Sequence, residues 1–153
     1  MHIIIDNMVV RRALLAEGDV DFSPVREKLF DKALKLVYGG KLLEEYCTNR
    51  EVRAMVLRLD QSGGARAYDN ARVISRTKAI KKSGLCRSND AHIIALAQES
   101  GARLLCSTDK TLHRDFTNRD LISGPRGKVY QGHLHLPMLQ RYCDACRRQS
   151  TRT

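Results

Sequence analysis

The sequence predicts an α/β fold built on a parallel sheet, and two stretches carry most of that prediction. Ser88 to Asp109, SNDAHIIALAQESGARLLCSTD, reads as helix, tight turn, strand and acid. That order is half of a parallel α/β unit with carboxylates at its working edge. His2 to Ile5 is a short β-branched run closed by Asp6, the pattern of a strand buried on both faces.

The remaining elements follow in order. Asn7 through Leu15 is expected to be helical, and Glu17 to Asp21, with Gly18, a loop. Ser23-Pro24 starts a helix, with Ser as cap and Pro at the first helical position. Val25, Leu29 and Ala33 mark one face of it. Leu36-Val37-Tyr38 is the second strand, ended by Gly39-Gly40, and Lys41 to Tyr46 opens a further helix with Glu44 and Glu45 in its first two turns. Arg50 to Leu59 continues helical on a stripe of Val52, Met55, Val56 and Leu59, and Gln61 to Gly64 breaks it. In residues 65–87, Ala71 to Ile74 has two readings, a strand or the first turn of a helix reaching Lys82.

Within the 88–109 stretch, Ser88 or Asn89 serves as N-cap, which puts Asp90 in the first helical turn, where a carboxylate suits the helix dipole. Ile93, Leu96, Ala97 and Ser100 recur at helical spacing, Ile94 widens the stripe and Gly101 ends it. Leu104 to Cys106 is the next strand. Thr111 to Phe116 is a short helix that brings Asp115 round, Pro125-Arg126-Gly127 is a turn, and Lys128 to Gln131 is an edge strand. The last ten residues, with Arg147, Arg148 and Arg152, read as a frayed basic tail.

With 153 residues and 42% hydrophobic content the chain fits one globular domain with a proper core. No internal repeat, low-complexity segment or linker divides it. No apolar run is long enough for a bilayer, and no signal peptide is expected. Five scattered cysteines do not form a disulfide framework, so a reducing, cytoplasmic setting is expected. Lys+Arg number 27 against 17 Asp+Glu, a formal net charge of +10, which favours a polyanionic partner, nucleic acid first. A basic surface kept for solubility is the plain alternative.

Four acids stand at comparable places. Asp6 follows the first strand, Glu45 lies on the helix after the second, Asp90 begins a helix and Asp109 follows the late strand. The crevice beyond the strand C-termini of an open parallel sheet gathers such positions. Two like charges about 4 Å apart cost roughly 4 kcal/mol at an effective dielectric near 20. Such a cluster is tolerable when protons or a hard cation neutralise it, and Mg²⁺ or Mn²⁺ suits oxygen ligands. An acidic pit holding a metal inside a basic surface holding a phosphate backbone is the logic of a metal-dependent nuclease. Taken singly, Asp90 is equally a helix-start acid, and Asp109 a cap.

IIID at the N-terminus, YGGKLLEEY, SNDAHIIALA and LLCSTDKTLHRDF, in that order, resemble the PIN-domain nucleases over roughly residues 1 to 130. The resemblance implies a three-layer α/β/α sandwich with a central, mostly parallel sheet over residues 1–130, residues 131–153 being a C-terminal extension and basic tail of the same domain. It implies an endoribonuclease using Mg²⁺ or Mn²⁺ on RNA. Carried over position by position, the first acid is Asp6, the third Asp90 and the fourth Asp109. Glu45 is preferred to Glu44 as the second, because the family's acid precedes a bulky residue, as Glu45 precedes Tyr46. Asp6, Asp90 and Asp109 are the implied metal ligands, and all four acids the implied catalytic set. Ser107 matches a small hydroxyl residue upstream of the fourth acid, implied to orient a water at the metal. The chain departs from the family at Met8, where many PIN domains carry Asn; Asn7 is the neighbouring polar residue. Asp115 is given a supporting role, with Asn7, Glu44 and Ser107.

Arg11, Arg12, Arg76, Lys78, Lys81, Lys82 and Lys110 are expected to hold the nucleic-acid backbone. Arg66, Arg72 and Arg87 share the basic stretch with four of them, and the whole stretch reads equally as a solvated helix side. Small stand-alone PIN domains are commonly toxins of toxin–antitoxin pairs, so the resemblance implies a small inhibitory partner protein and a homodimer. Two other readings stay open: a catalytically silent PIN-fold module that binds nucleic acid or protein, and cleavage of DNA by the same site. Cys143 and Cys146 form a lone CxxC, which His133 and His135, sharing one face of a strand, would complete as a zinc site; an ordinary tail is the plainer reading. His92 either touches substrate or is an ordinary packed histidine. The absence of Trp argues against a base-stacking platform, and no Walker A or dinucleotide fingerprint occurs.

Overall fold

Ile3, Ile4 and Ile5 are fully buried, and they form the middle of the sheet rather than its margin. In the computed structural model, which describes residues 1–15 and 19–150, with side chains described only as far as Cys143 in the last helix, β1 (His2–Ile5) lies between β2 (Lys35–Tyr38) and β4 (Leu104–Cys106). β3 (Ala65–Ala67) and β5 (Lys128–Tyr130) are the edges. All pairings are parallel, in the order β3-β2-β1-β4-β5. Ile3, Ile4 and Ile5 register against Leu104, Leu105 and Cys106, so two continuous apolar runs pair at the centre, as a sheet covered on both faces requires.

Eight helices are present among the described residues. They are α1 (Val10–Leu14), α2 (Ser23–Phe30), α3 (Gly40–Cys47), α4 (Arg50–Gln61), α5 (Asn70–Ser83), α6 (Ala91–Ser100), α7 (Lys110–Thr117) and α8 (Leu136–Ser150). α1 packs on α2 and α4, and α5 on α6 and α3. The chain steps one way from β1 to β3 and the other way through β4 to β5. Right-handed crossovers place the helices of the two halves on opposite faces, consistent with a three-layer α/β/α sandwich.

Several local boundaries differ from the sequence reading. The turn at Asn7 to Val9 delays α1 to Val10. α2 begins at Ser23 itself, with Phe22 at the cap position. Ala71 to Ile74 is helical, inside α5, and the strand of that region is the short β3 just before it. β3 was illegible because Ala-Arg-Ala has no β-branched or alternating pattern; it forms by pairing with Leu36, Val37 and Tyr38. The expected tail is helical to Ser150, and Leu139 and Cys143 are buried in the core. The Tyr142 hydroxyl donates to the His2 carbonyl at 3.3 Å, tying α8 to β1.

Gly40 opens α3 at φ +59°, and a Cβ there would meet Val73 Cγ1 at 2.8 Å. Only glycine takes both the left-handed backbone and the close approach of α5 at low cost. No helix among the described residues is long and apolar enough to cross a membrane.

Candidate active site

The strand order reverses between β1 and β4, and the acids of both strands emerge there. The Asp6 N–H donates to the Cys106 carbonyl at 2.9 Å, carrying the ladder one residue past β1. The fully buried Ser107 Oγ donates to Asp6 Oδ2 at 2.9 Å and accepts the Asp109 N–H at 3.1 Å. A hydroxyl, with one donor and two acceptor sites, is suited to that double duty. Backbone N–H groups of Asn7 and Met8 also bond the Asp6 carboxylate. The Met8 side chain is exposed, so position 8 serves Asp6 through its main chain, whatever its side chain.

Asp109 is the N-cap of α7, its Oδ1 accepting the N–H groups of Thr111 and Leu112 at 2.9 and 3.2 Å. The cap reading and the site reading therefore hold together for this residue. Asp90 differs. It occupies the N-cap position of α6 itself, not the first turn, and its carboxylate makes no cap bond; its N–H donates to Ser88 Oγ at 3.3 Å. The Asp90 carboxylate is thus not consumed in starting the helix. Glu45 lies on α3, half-buried, while Glu44 is exposed on the same helix.

The four acids act on one another. Burial pushes the Asp6 carboxyl above its ordinary value and the Asp109 charge adds to this, against the bonds from Ser107, Met8 and Asn7. Burial likewise raises Asp90, followed by the charges of Asp6 and Asp109, and raises Glu45, with Asp90 and Asp6 adding. Lys41, one helical turn before Glu45, opposes the rise at both Glu45 and Asp90. Three carboxyls are held above their usual range by burial first and by neighbouring acid charge second, and a divalent cation relieves the charge part. Among the described residues, no three His, Cys, Asp or Glu side chains form a group that closes on one ion. The side chains that act on one another here carry carboxylate oxygen, the hard donor that Mg²⁺ and Mn²⁺ take.

His92 is buried on α6, with Nε2 2.7 Å from Glu45 Oε1. The approach lies off hydrogen-bond geometry, and both atoms are buried without a satisfied bond. Burial, with Lys41 and Lys81 nearby, lowers the His92 pKa to about 4, so the imidazole is neutral at pH 7 and the contact is not a full ion pair.

Asp115 is placed elsewhere. Almost fully buried, it accepts the N–H groups of Arg87 and Ser88 at 3.0 and 2.7 Å and the Cys86 thiol at 3.3 Å. It fixes the loop that leads into Asp90, so its support is positional, through the 86–88 backbone.

Two of the expected phosphate contacts are already engaged. Arg12 bonds Asp19 at 2.9 Å and lies over the Phe22 ring. Arg76 pairs with Glu99 and reaches Gln98. Both are occupied because each lies across from an acid on a neighbouring segment, a relation that sequence spacing does not reveal. Arg11, Lys78, Lys81, Lys82 and Lys110 are exposed. The expected strand carrying His133 and His135 is a 3-10 turn, His133–His135, and residues two apart there do not share a face. His135 Nδ1 accepts the Gln131 N–H at 3.0 Å, Cys143 is buried, and the Cys146 side chain, like the side chains of Arg147, Arg148 and Arg152, lies outside the described residues.

Sequence reasoning did not single out Lys41 or Tyr46. Lys41 was findable from its i, i+4 relation to Glu45. Tyr46 is buried, and its hydroxyl donates to the Ile5 carbonyl, bracing the chain immediately before Asp6; an aromatic on a helix gives no such signal. No protein-family model matches the chain, and no curated protein matches it.

Proposed function

We propose that the chain is a metal-dependent endoribonuclease of PIN type, hydrolysing RNA phosphodiester bonds. The observation that carries this reading is the Asp6–Ser107–Asp109 connection at the reversal point of a parallel sheet, with Asp90 and Glu45 inside the same electrostatic field. Ligands of open α/β sheets bind at such a point. Asp6, Asp90 and Asp109 would hold Mg²⁺ or Mn²⁺. When bound, such an ion lowers the pKa of a water and stabilises charge on a phosphoryl group.

The chain's own residues supply the rest. Ser107 holds the Asp6 carboxylate in a single orientation. The α7 cap fixes Asp109. Asp115 holds the loop before Asp90. Glu45, whose pKa burial raises, would be the acid that accepts a proton from the water. Exposed Lys78, Lys81 and Lys110 supply positive charge for the phosphate backbone. A cytoplasmic setting, a small inhibitory partner protein and a homodimer belong to the same reading, on the PIN resemblance.

The second reading is a catalytically silent PIN-fold module that binds nucleic acid or protein, and the third is cleavage of DNA by the same site. Incubation of matched single-stranded RNA and DNA with Mn²⁺ decides among these. Cleavage of RNA that ceases in EDTA and in Asp6→Asn and Asp90→Asn is the expected result. Cutting by either variant at the wild-type rate removes that acid from the site, preferential cutting of DNA redirects the substrate, and no cutting of either leaves the binding module.

A further inference from the structure

Beside the acids lies a cavity of about 230 Å³ between α5, α3 and the start of α6. Lys78 and Lys81 on α5, Lys41 on α3, and Thr77, Asn89 and His92 line it. Ile74, Thr77, Lys78 and Lys81 recur at i, i+3, i+4 and i+7, one face of α5. That face is not buried, for Lys78 and Lys81 are exposed and Ile74 is 44% exposed. Three lysines line the cavity against one carboxylate, that of the exposed Glu44. Asn89 and the three lysines are hydrogen-bond donors of the kind that grip phosphate oxygens, while the Thr77 hydroxyl donates to the Val73 carbonyl at 2.7 Å. His92, 3% exposed, forms part of the wall and carries a nitrogen with no hydrogen-bond partner.

The cavity adjoins the acid cluster. Lys41 acts on Glu45, Asp90 and His92 alike, and His92 stands between the cavity and Glu45. A polyanion whose one phosphate is presented to the acids has its neighbouring phosphates within reach of such a wall. A larger open groove of about 660 Å³ on the other side of α5 is less suited, because its Arg76 is paired with Glu99.

We propose that the Lys41–Lys78–Lys81 cavity is a phosphate subsite that seats a backbone phosphate of the nucleic acid flanking the one presented to Asp6, Asp90 and Asp109. The subsite rests on the nuclease reading for its register with the acids, not for its ligand.

The test is binding of a short single-stranded RNA in EDTA, with each phosphate replaced in turn by an uncharged methylphosphonate. Wild type is compared with Lys78→Gln and Lys81→Gln, both exposed positions that tolerate the change. One position in the RNA should weaken wild-type binding roughly tenfold when neutralised, the size of one charge-assisted contact. That same position should have little effect in the variants. Each variant should also flatten the dependence of log K on log salt by about 0.7. A methylphosphonate effect equal at every position, or one that persists undiminished in both variants, overturns the subsite. If wild type cuts no nucleic acid with Mn²⁺ but the position-specific effect is present and lost in the variants, the nuclease reading fails and the subsite stands.

Discussion

Ser107 and Asp6, 101 residues apart, are joined by a 2.9 Å hydrogen bond in which the buried hydroxyl donates to the carboxylate. The same oxygen accepts the Asp109 N–H, so one small side chain sets the relation between the acids of the two central strands.

Ser107→Ala removes a donor that stabilises ionised Asp6 and leaves the Asp109 N–H without its acceptor. Asp6, already raised by burial, should rise further, moving the acid limb of the pH–rate profile to higher pH. Stability should fall by about 1–3 kcal/mol, the cost of groups left unsatisfied on burial. A pH profile superimposable on that of wild type counts against Asp6 as an essential ionised group.

Asp90 should trade stability for function. Its folded pKa lies above the ordinary 3.8, through burial first and the charges of Asp6 and Asp109 next. A raised carboxyl contributes stability that is complete below its ordinary value and lost as pH rises through the folded value, so at pH 7 its ionised form is a net cost. Asp90→Asn should raise Tm at pH 7, by about 2–4 °C for each kcal/mol relieved in a chain of this size, and the gain should shrink toward pH 4. Mn²⁺ should raise the wild-type Tm more than that of the variant. A scanning calorimeter with and without Mn²⁺ reads both; a lower Tm for the variant at pH 7 contradicts the repulsion.

Asp115 has the opposite sign. Burial pushes its carboxyl up, but the bonds from Ser88, Arg87 and Cys86 outweigh that and hold it below 3.8. Its contribution is present above the ordinary value and lost as pH falls through the folded one. Asp115→Asn should therefore be less stable than wild type by about 1–3 kcal/mol at pH 7, with the gap closing as pH drops below that range. Urea unfolding at several pH values measures this, and a gap independent of pH sets the ionised carboxylate aside as its cause.

Much of the layout was legible because it is local. Ile3-Ile4-Ile5 and Leu104-Leu105-Cys106 are apolar runs too short for helices, Gly101 stops α6 with its left-handed backbone, and the spacing of Ile93, Leu96 and Ala97 marks a buried helix. Composition and period thus determined an α/β chain with acids after its strands. Partnership is what they could not determine. β3 exists only because β2 lies beside it. Arg12 and Arg76 look like free cations until Asp19 and Glu99 close on them. Asp115 resembles a site acid until the 86–88 backbone takes up its oxygens. Asp90 and Asp109 both begin helices, yet only Asp109 spends an oxygen on the cap. Hydrogen bonds and charge depend on distances in space, whether the partner is seven residues away, as Asp19 is from Arg12, or 23, as Glu99 is from Arg76, and only the packed structure fixes those distances.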